Sequence, residues 1–192
     1  MKLASIFFLT ALGCALAAVG FASPGRGVNE NRCAPEGGAV ERKDDRFTEE
    51  VTVKLKPQTI PTSMPGQRLK VALEYKIRPR RGSAQSTIPE MVNIIFTSTA
   101  PDRVYERDPQ LVFLIGGERV RPVPAAVHDD YSQLSSDKVV TQTIFSGMTE
   151  GTLRRISRAK EVEMKLGYTE VKLSQDVLSA FRSFAACVLD GN

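Results

Sequence analysis

The 192-residue chain carries 26 Lys+Arg against 22 Asp+Glu, a formal +4, with 25% charged and 42% hydrophobic residues. That is the composition of one globular domain, and it excludes a disordered chain. A single histidine excludes a three-histidine metal site, a two-histidine zinc motif and a paired-histidine acid/base mechanism. The small positive surplus does not call for nucleic acid.

The chain opens with a targeting pattern. Met1-Lys2 supplies a positive start, Leu3 to Leu12 an apolar run, and Ala15-Leu16-Ala17 or Gly20-Phe21-Ala22 a small-x-small cleavage site. Residues 1–22 therefore read as a signal peptide cut after Ala22, because the chain turns polar at Ser23-Pro24-Gly25-Arg26. The expected location is secreted or periplasmic, with no membrane span after cleavage. Two alternatives stand beside this: an uncleaved N-terminal anchor, and a lipoprotein acylated at Cys14, since Ala11-Leu12-Gly13-Cys14 approximates a lipobox. Cleavage leaves two cysteines, Cys33 and Cys187, which in an oxidising compartment read as a candidate disulfide.

Ser23 to Arg46 is rich in Gly, Pro, Asn and charge and reads as a flexible extension before a single β-rich domain over 47–192. Val51, Val53 and Leu55 alternate with Thr52, Lys54 and Lys56 in a first half-buried strand. The prolines from Pro57 to Pro65 predict a loop. Leu69 to Ile77 alternates strictly with Lys70, Ala72, Glu74 and Lys76, one face for a core and one for water. Arg78 to Ser83 opens a loop, and Val92-Asn93-Ile94-Ile95-Phe96 suits a central strand. Leu111 to Ile115, Gly116-Gly117 and Glu118 to Arg121 spell a hairpin, and Lys138 to Phe145 a further strand. These strands predict a mainly β fold, an antiparallel sandwich or open barrel, with a short helix and a C-terminal helix.

The last forty residues change period. Thr149 caps a short helix that buries Leu153 and Ile156 and turns Arg154, Arg155 and Arg158 to solvent. Val162, Met164 and Leu166 lead through Gly167 to Val171 and Leu173. Ser174 then caps a helix with Val177, Phe181, Phe184 and Val188 on one stripe. The run Ile156-Ser157-Arg158-Ala159-Lys160-Glu161-Val162-Glu163-Met164-Lys165-Leu166-Gly167, with Thr169 to Ser174, resembles the C-terminal block of a loose group of uncharacterised exported bacterial proteins. Asp45-Arg46-Phe47-Thr48 resembles the start of their β-rich region. The resemblance implies export and a helix–strand–glycine turn–strand–helix arrangement. It brings no catalytic residues.

His128-Asp129-Asp130, with Asp137 nearby, is the sole His/carboxylate cluster, and its spacing fits neither an EF-hand nor a zinc motif. It reads as a polar loop between strands. No Gly-x-Ser-x-Gly elbow positions a serine nucleophile. Arg78, Arg80 and Arg81 form one basic cluster, and Arg154, Arg155 and Arg158 with Lys160 a second; both are candidate anion-binding groups. Without exposed aromatic residues between them they do not read as a nucleic-acid site. The sequence thus predicts an exported, non-catalytic binding or structural module of the cell envelope. It needs no cofactor or metal, and its partner is an acidic envelope component or a protein. The alternative is an exported hydrolase or metal-dependent enzyme centred on His128.

Overall fold

The structure, a computed structural model, describes residues 38–48, 50–77, 91–130 and 139–189. Within them the chain is mainly β, with two antiparallel sheets and two helices. The larger sheet holds β1 (Val40–Asp45), β2 (Glu50–Ile60), β3 (Arg68–Ile77), β4 (Met91–Ala100), β9 (Val140–Thr149) and β8 (Ala126–Asp130), in that order. The smaller holds β11 (Thr169–Lys172), β10 (Val162–Leu166) and β5 (Gln110–Ile115). Two short pieces, β6 (Glu118–Arg119) and β7 (Val123–Pro124), share β5's far edge. Helices α1 (Glu150–Arg158) and α2 (Gln175–Leu189) complete it. Both sheets are open, so the expected sandwich-or-open-barrel class is met by two open sheets.

Alternation builds the larger sheet. Leu55, Leu73 and Ile94 stand in cross-strand register on one face, as do Val71, Phe96 and Ile144, and all six are buried. Each such burial contributes roughly 1.5–3 kcal/mol. α2 lies against β2 and α1, and its stripe of Val177, Phe181 and Phe184 joins the same core as Phe113, Met164 and Leu166 of the small sheet. β4 is central, as expected of Val92 to Phe96.

Three local expectations are corrected. The sheet begins at Val40, not Phe47: the end of the segment expected to be a flexible extension is β1, whose Val40 packs inward opposite Leu55. The loop expected from Pro57 starts only after Ile60, because the register shifts between Leu55 and Gln58 and Pro57 sits in that irregularity, where a missing N–H costs nothing. The polar loop expected at His128 is the edge strand β8, whose charged residues protect an otherwise open edge. The hairpin turn is as expected: Gly116 and Gly117 both hold positive φ, 59° and 83°.

A buried polar cluster joins the two sheets. Gln142 on β9 is 1% exposed, and its Oε1 accepts from the Val104 and Tyr105 N–H groups at 2.9 and 2.8 Å. Its Nε2 donates to the Tyr105 carbonyl and to Asp129 Oδ1, both at 2.9 Å. Tyr105 in turn donates its hydroxyl to Thr169 on β11 at 3.1 Å and accepts from Gln67 at 3.0 Å. Gln67 also reaches Ser98 at 3.1 Å, although its Oε1 is buried without a hydrogen bond. Burial holds the Tyr105 phenol above its ordinary pKa, against the pull of Thr169 and Gln67.

Candidate functional site

The sequence offered three groups, and strand and helix geometry separates them. His128 and Asp129 are neighbours on β8, so they point to opposite faces. His128 stands outward opposite Thr143, while Asp129 turns inward opposite Gln142. There Asp129 Oδ2 pairs with Arg103 at 2.9 Å and Oδ1 accepts from Gln142. That carboxylate is a structural anchor and does not reach the imidazole. The Asp130 side chain and Asp137 lie outside the described residues. Among the described residues no three His, Cys, Asp or Glu side chains gather to hold a metal ion.

The first arginine group, Arg78, Arg80 and Arg81, lies outside the described residues. The second divides. Thr149 caps α1 as expected, its hydroxyl accepting from Thr152 N–H at 3.2 Å, and Leu153 and Ile156 are buried. That rotation sends Arg155 toward β6, where it pairs with Glu118 at 2.8 Å. Arg154 and Arg158, one turn apart, face the other way. Opposite them stands Arg182 of α2, which sequence reading passed over while following that helix's apolar stripe. Its signal was its oddity: it is the single basic residue between Gln175 and Leu189.

Arg182 is fixed. Its Nε donates to the Ser157 carbonyl at 3.1 Å and a terminal nitrogen to the Ala159 carbonyl at 2.9 Å. These are carbonyls that the end of α1 leaves open, so the guanidinium caps one helix from another. The three arginines surround a cleft of about 340 Å³ whose wall is Ala185, Ala186 and Leu189. That volume is at the lower end of ligand pockets, roughly 300–1,000 Å³. No carboxylate lines it among the described residues, and Arg154 and Arg158 make no hydrogen bond or ion pair there. A guanidinium carries five N–H donors and does not lose its charge. Two of Arg182's are engaged and, among the described residues, none of the others', so the described lining concentrates donors and positive charge without a counter-ion.

A second concavity lies on the outer face of the small sheet, in two adjoining hollows of about 360 and 350 Å³. Val112, Leu114, Arg119 and Glu163 line it, and Tyr168 at its rim is 84% exposed. Here charges of both signs alternate, and Lys165 already pairs with Glu170 across the β10–β11 hairpin. Its lining carries an acidic surplus, Glu106, Asp108, Glu163 and Glu170 against Arg119 and Lys165, which does not suit an anion.

Cys187 is fully buried on α2, on the core side rather than the cleft side. Cys33 and Cys14 lie outside the described residues, as does the 1–22 segment. No helix among the described residues is long and apolar enough to cross a membrane. Compared with protein-family models, curated proteins and solved structures, the chain matches none of them.

Proposed function

We propose that this chain is an exported, non-catalytic binding module of the bacterial cell envelope, and that it holds an anionic envelope component in the arginine cleft between α1 and α2. One observation carries the reading: Arg154, Arg158 and Arg182 converge on one concavity with no acidic side chain among its described lining. Two like charges one turn apart on a helix repel by a few tenths of a kcal/mol. An anion removes that repulsion and uses the open donors. The end of α1 does not supply the attraction, because a helix C-terminus carries partial negative charge. The guanidiniums do.

Export rests on the Met1–Ala22 pattern and on the resemblance of residues 156–174 to exported bacterial proteins. The Cys33–Cys187 bridge belongs to the same reading. Its support is that Cys33 and Cys187 are the two cysteines that cleavage after Ala22 leaves in an oxidising compartment. Such a bond tethers the N-terminal segment to the helix that carries Arg182.

The test is ion-exchange retention of the mature protein on a sulfopropyl resin. Arg154→Gln/Arg158→Gln is expected to elute at much lower salt than Lys70→Gln/Arg121→Gln, which removes the same net charge elsewhere. Equal elution of the two variants contradicts a localised anion site. N-terminal sequencing of protein recovered from its own cells checks export: the expected first residue is Ser23, and retained Met1 contradicts it.

A further inference from the structure

We infer that the cleft selects a phosphate monoester over singly charged anions. This rests on the anion-binding reading above and names the chemistry that reading leaves open. Three guanidiniums around one cleft place three positive charges against the ligand, with no carboxylate among the described lining to offset them. A carboxylate or a phosphodiester brings one negative charge to that field. A phosphate monoester brings between about 1.5 and 2 at neutral pH, together with three strong acceptor oxygens.

The geometry divides the work. Arg182, held by the Ser157 and Ala159 carbonyls, presents its remaining N–H groups from a fixed position. Arg154, half-buried, and Arg158, exposed, approach from α1, and neither belongs to the core. Planar guanidiniums bind phosphate oxygens two at a time, which an ammonium does not. The Ser157 hydroxyl already donates to the Arg154 carbonyl at 2.9 Å, so it serves the helix rather than the ligand. Ala185, Ala186 and Leu189 give the far wall an apolar surface. That suits a phosphate carried on an organic group, whether a lipid headgroup or a free phosphorylated molecule.

Among the described residues the charged groups facing the cleft are Arg154 and Arg158 from α1 and Arg182 from α2, and a guanidinium keeps its charge in proteins. Any pH dependence of binding between about pH 5 and 8 therefore belongs to the ligand, whose second pKa is near 6.

The experiment is calorimetric titration of the mature protein with methyl phosphate, dimethyl phosphate and sulfate at fixed ionic strength. Methyl phosphate is expected to bind about tenfold more weakly at pH 5 than at pH 8, as the dianion is depleted. Sulfate, a dianion throughout, is expected to keep its affinity, and dimethyl phosphate to bind at least tenfold more weakly than methyl phosphate at pH 8. Arg154→Gln and Arg158→Gln are each expected to weaken methyl phosphate about tenfold. Arg182→Lys, which keeps the charge but loses the fork, is expected to weaken it while the fold persists. Vesicles of phosphatidylcholine with phosphatidic acid separate the sources. Binding to these, but not to vesicles with phosphatidylglycerol, supports a lipid monoester. Binding of methyl phosphate without either vesicle supports a free phosphorylated molecule. Equal affinity for mono- and diester, or a pH-independent methyl phosphate affinity, overturns the inference and leaves a general anion site. Loss of every anion, with no difference between the two resin variants, overturns the underlying reading as well.

Discussion

The Tyr105 cluster and the arginine cleft are both polar, both bridge separate elements, and behave oppositely. In the cluster, Gln142 alone satisfies two backbone N–H groups, a carbonyl and a carboxylate, and Arg103 neutralises that carboxylate. In the cleft, Arg154 and Arg158 point their donors into a concavity and meet nothing among the described residues. A polar group whose bonds are all made inside the protein holds the fold. One left with unused donors and a shape around it is available to something else. The difference teaches that charge alone does not mark a site. Arg103, Arg155 and Arg154 carry the same guanidinium, and of the three only the last lacks a partner among the described residues.

That contrast predicts a descending series of effects. Gln142→Leu removes four hydrogen bonds and leaves buried backbone groups and Asp129 short of partners. It is expected to cost about 3 kcal/mol or more in urea unfolding, and a loss below that of an ordinary surface change would break the comparison. Tyr105→Phe deletes one hydroxyl shared by Gln67 and Thr169 and is expected to cost about 1–2 kcal/mol.

The same tyrosine gives a pH signature. Burial raises the Tyr105 pKa above the ordinary 10.0, so the folded protein favours the neutral phenol. Its contribution is fully present below that ordinary value and is lost as pH rises through the raised one. Wild-type stability is therefore expected to fall above about pH 10 more steeply than that of Tyr105→Phe, and parallel curves would contradict the assignment.

Arg154→Gln/Arg158→Gln is expected to change stability by no more than about 0.5 kcal/mol, since loss of like-charge repulsion offsets loss of a favourable dipole contact. Chemical denaturation of the variant checks this. A large destabilisation would make these arginines part of the fold and not of a site. His128→Ala is expected to have the smallest effect, within about 0.5 kcal/mol, because it stands outward on an edge strand apart from Asp129. Preserved stability with lost binding would move the site to β8.

Much of the fold was legible because alternation is a local signal. Leu69 to Ile77 states its own buried face, and Thr149 and Ser174 mark their helices by side-chain oxygens that reach nearby N–H groups. What was hidden depended on partners distant in sequence. Val40 becomes a strand residue only because Leu55 lies opposite it. Pro57 is tolerated because the register slips beside it. His128 to Asp130 read as a loop because edge strands carry charge where central strands do not.

The site was half legible for the same reason. The spacing of Arg154 and Arg158 puts them on one face of α1, and nothing local says that Arg155 leaves for Glu118. Arg182 comes from 24 residues beyond Arg158 and reaches the cleft only because α2 folds back across the end of α1.

The most direct measurement of whether the cleft is a binding site is a proton–nitrogen NMR titration of arginine Nε–H signals with inorganic phosphate at constant ionic strength. The account predicts saturable shifts confined to Arg154, Arg158 and Arg182, with Arg42, Arg103 and Arg155, which are already paired, unmoved. Shifts spread evenly over paired and unpaired arginines, or none at the three cleft residues, would contradict it.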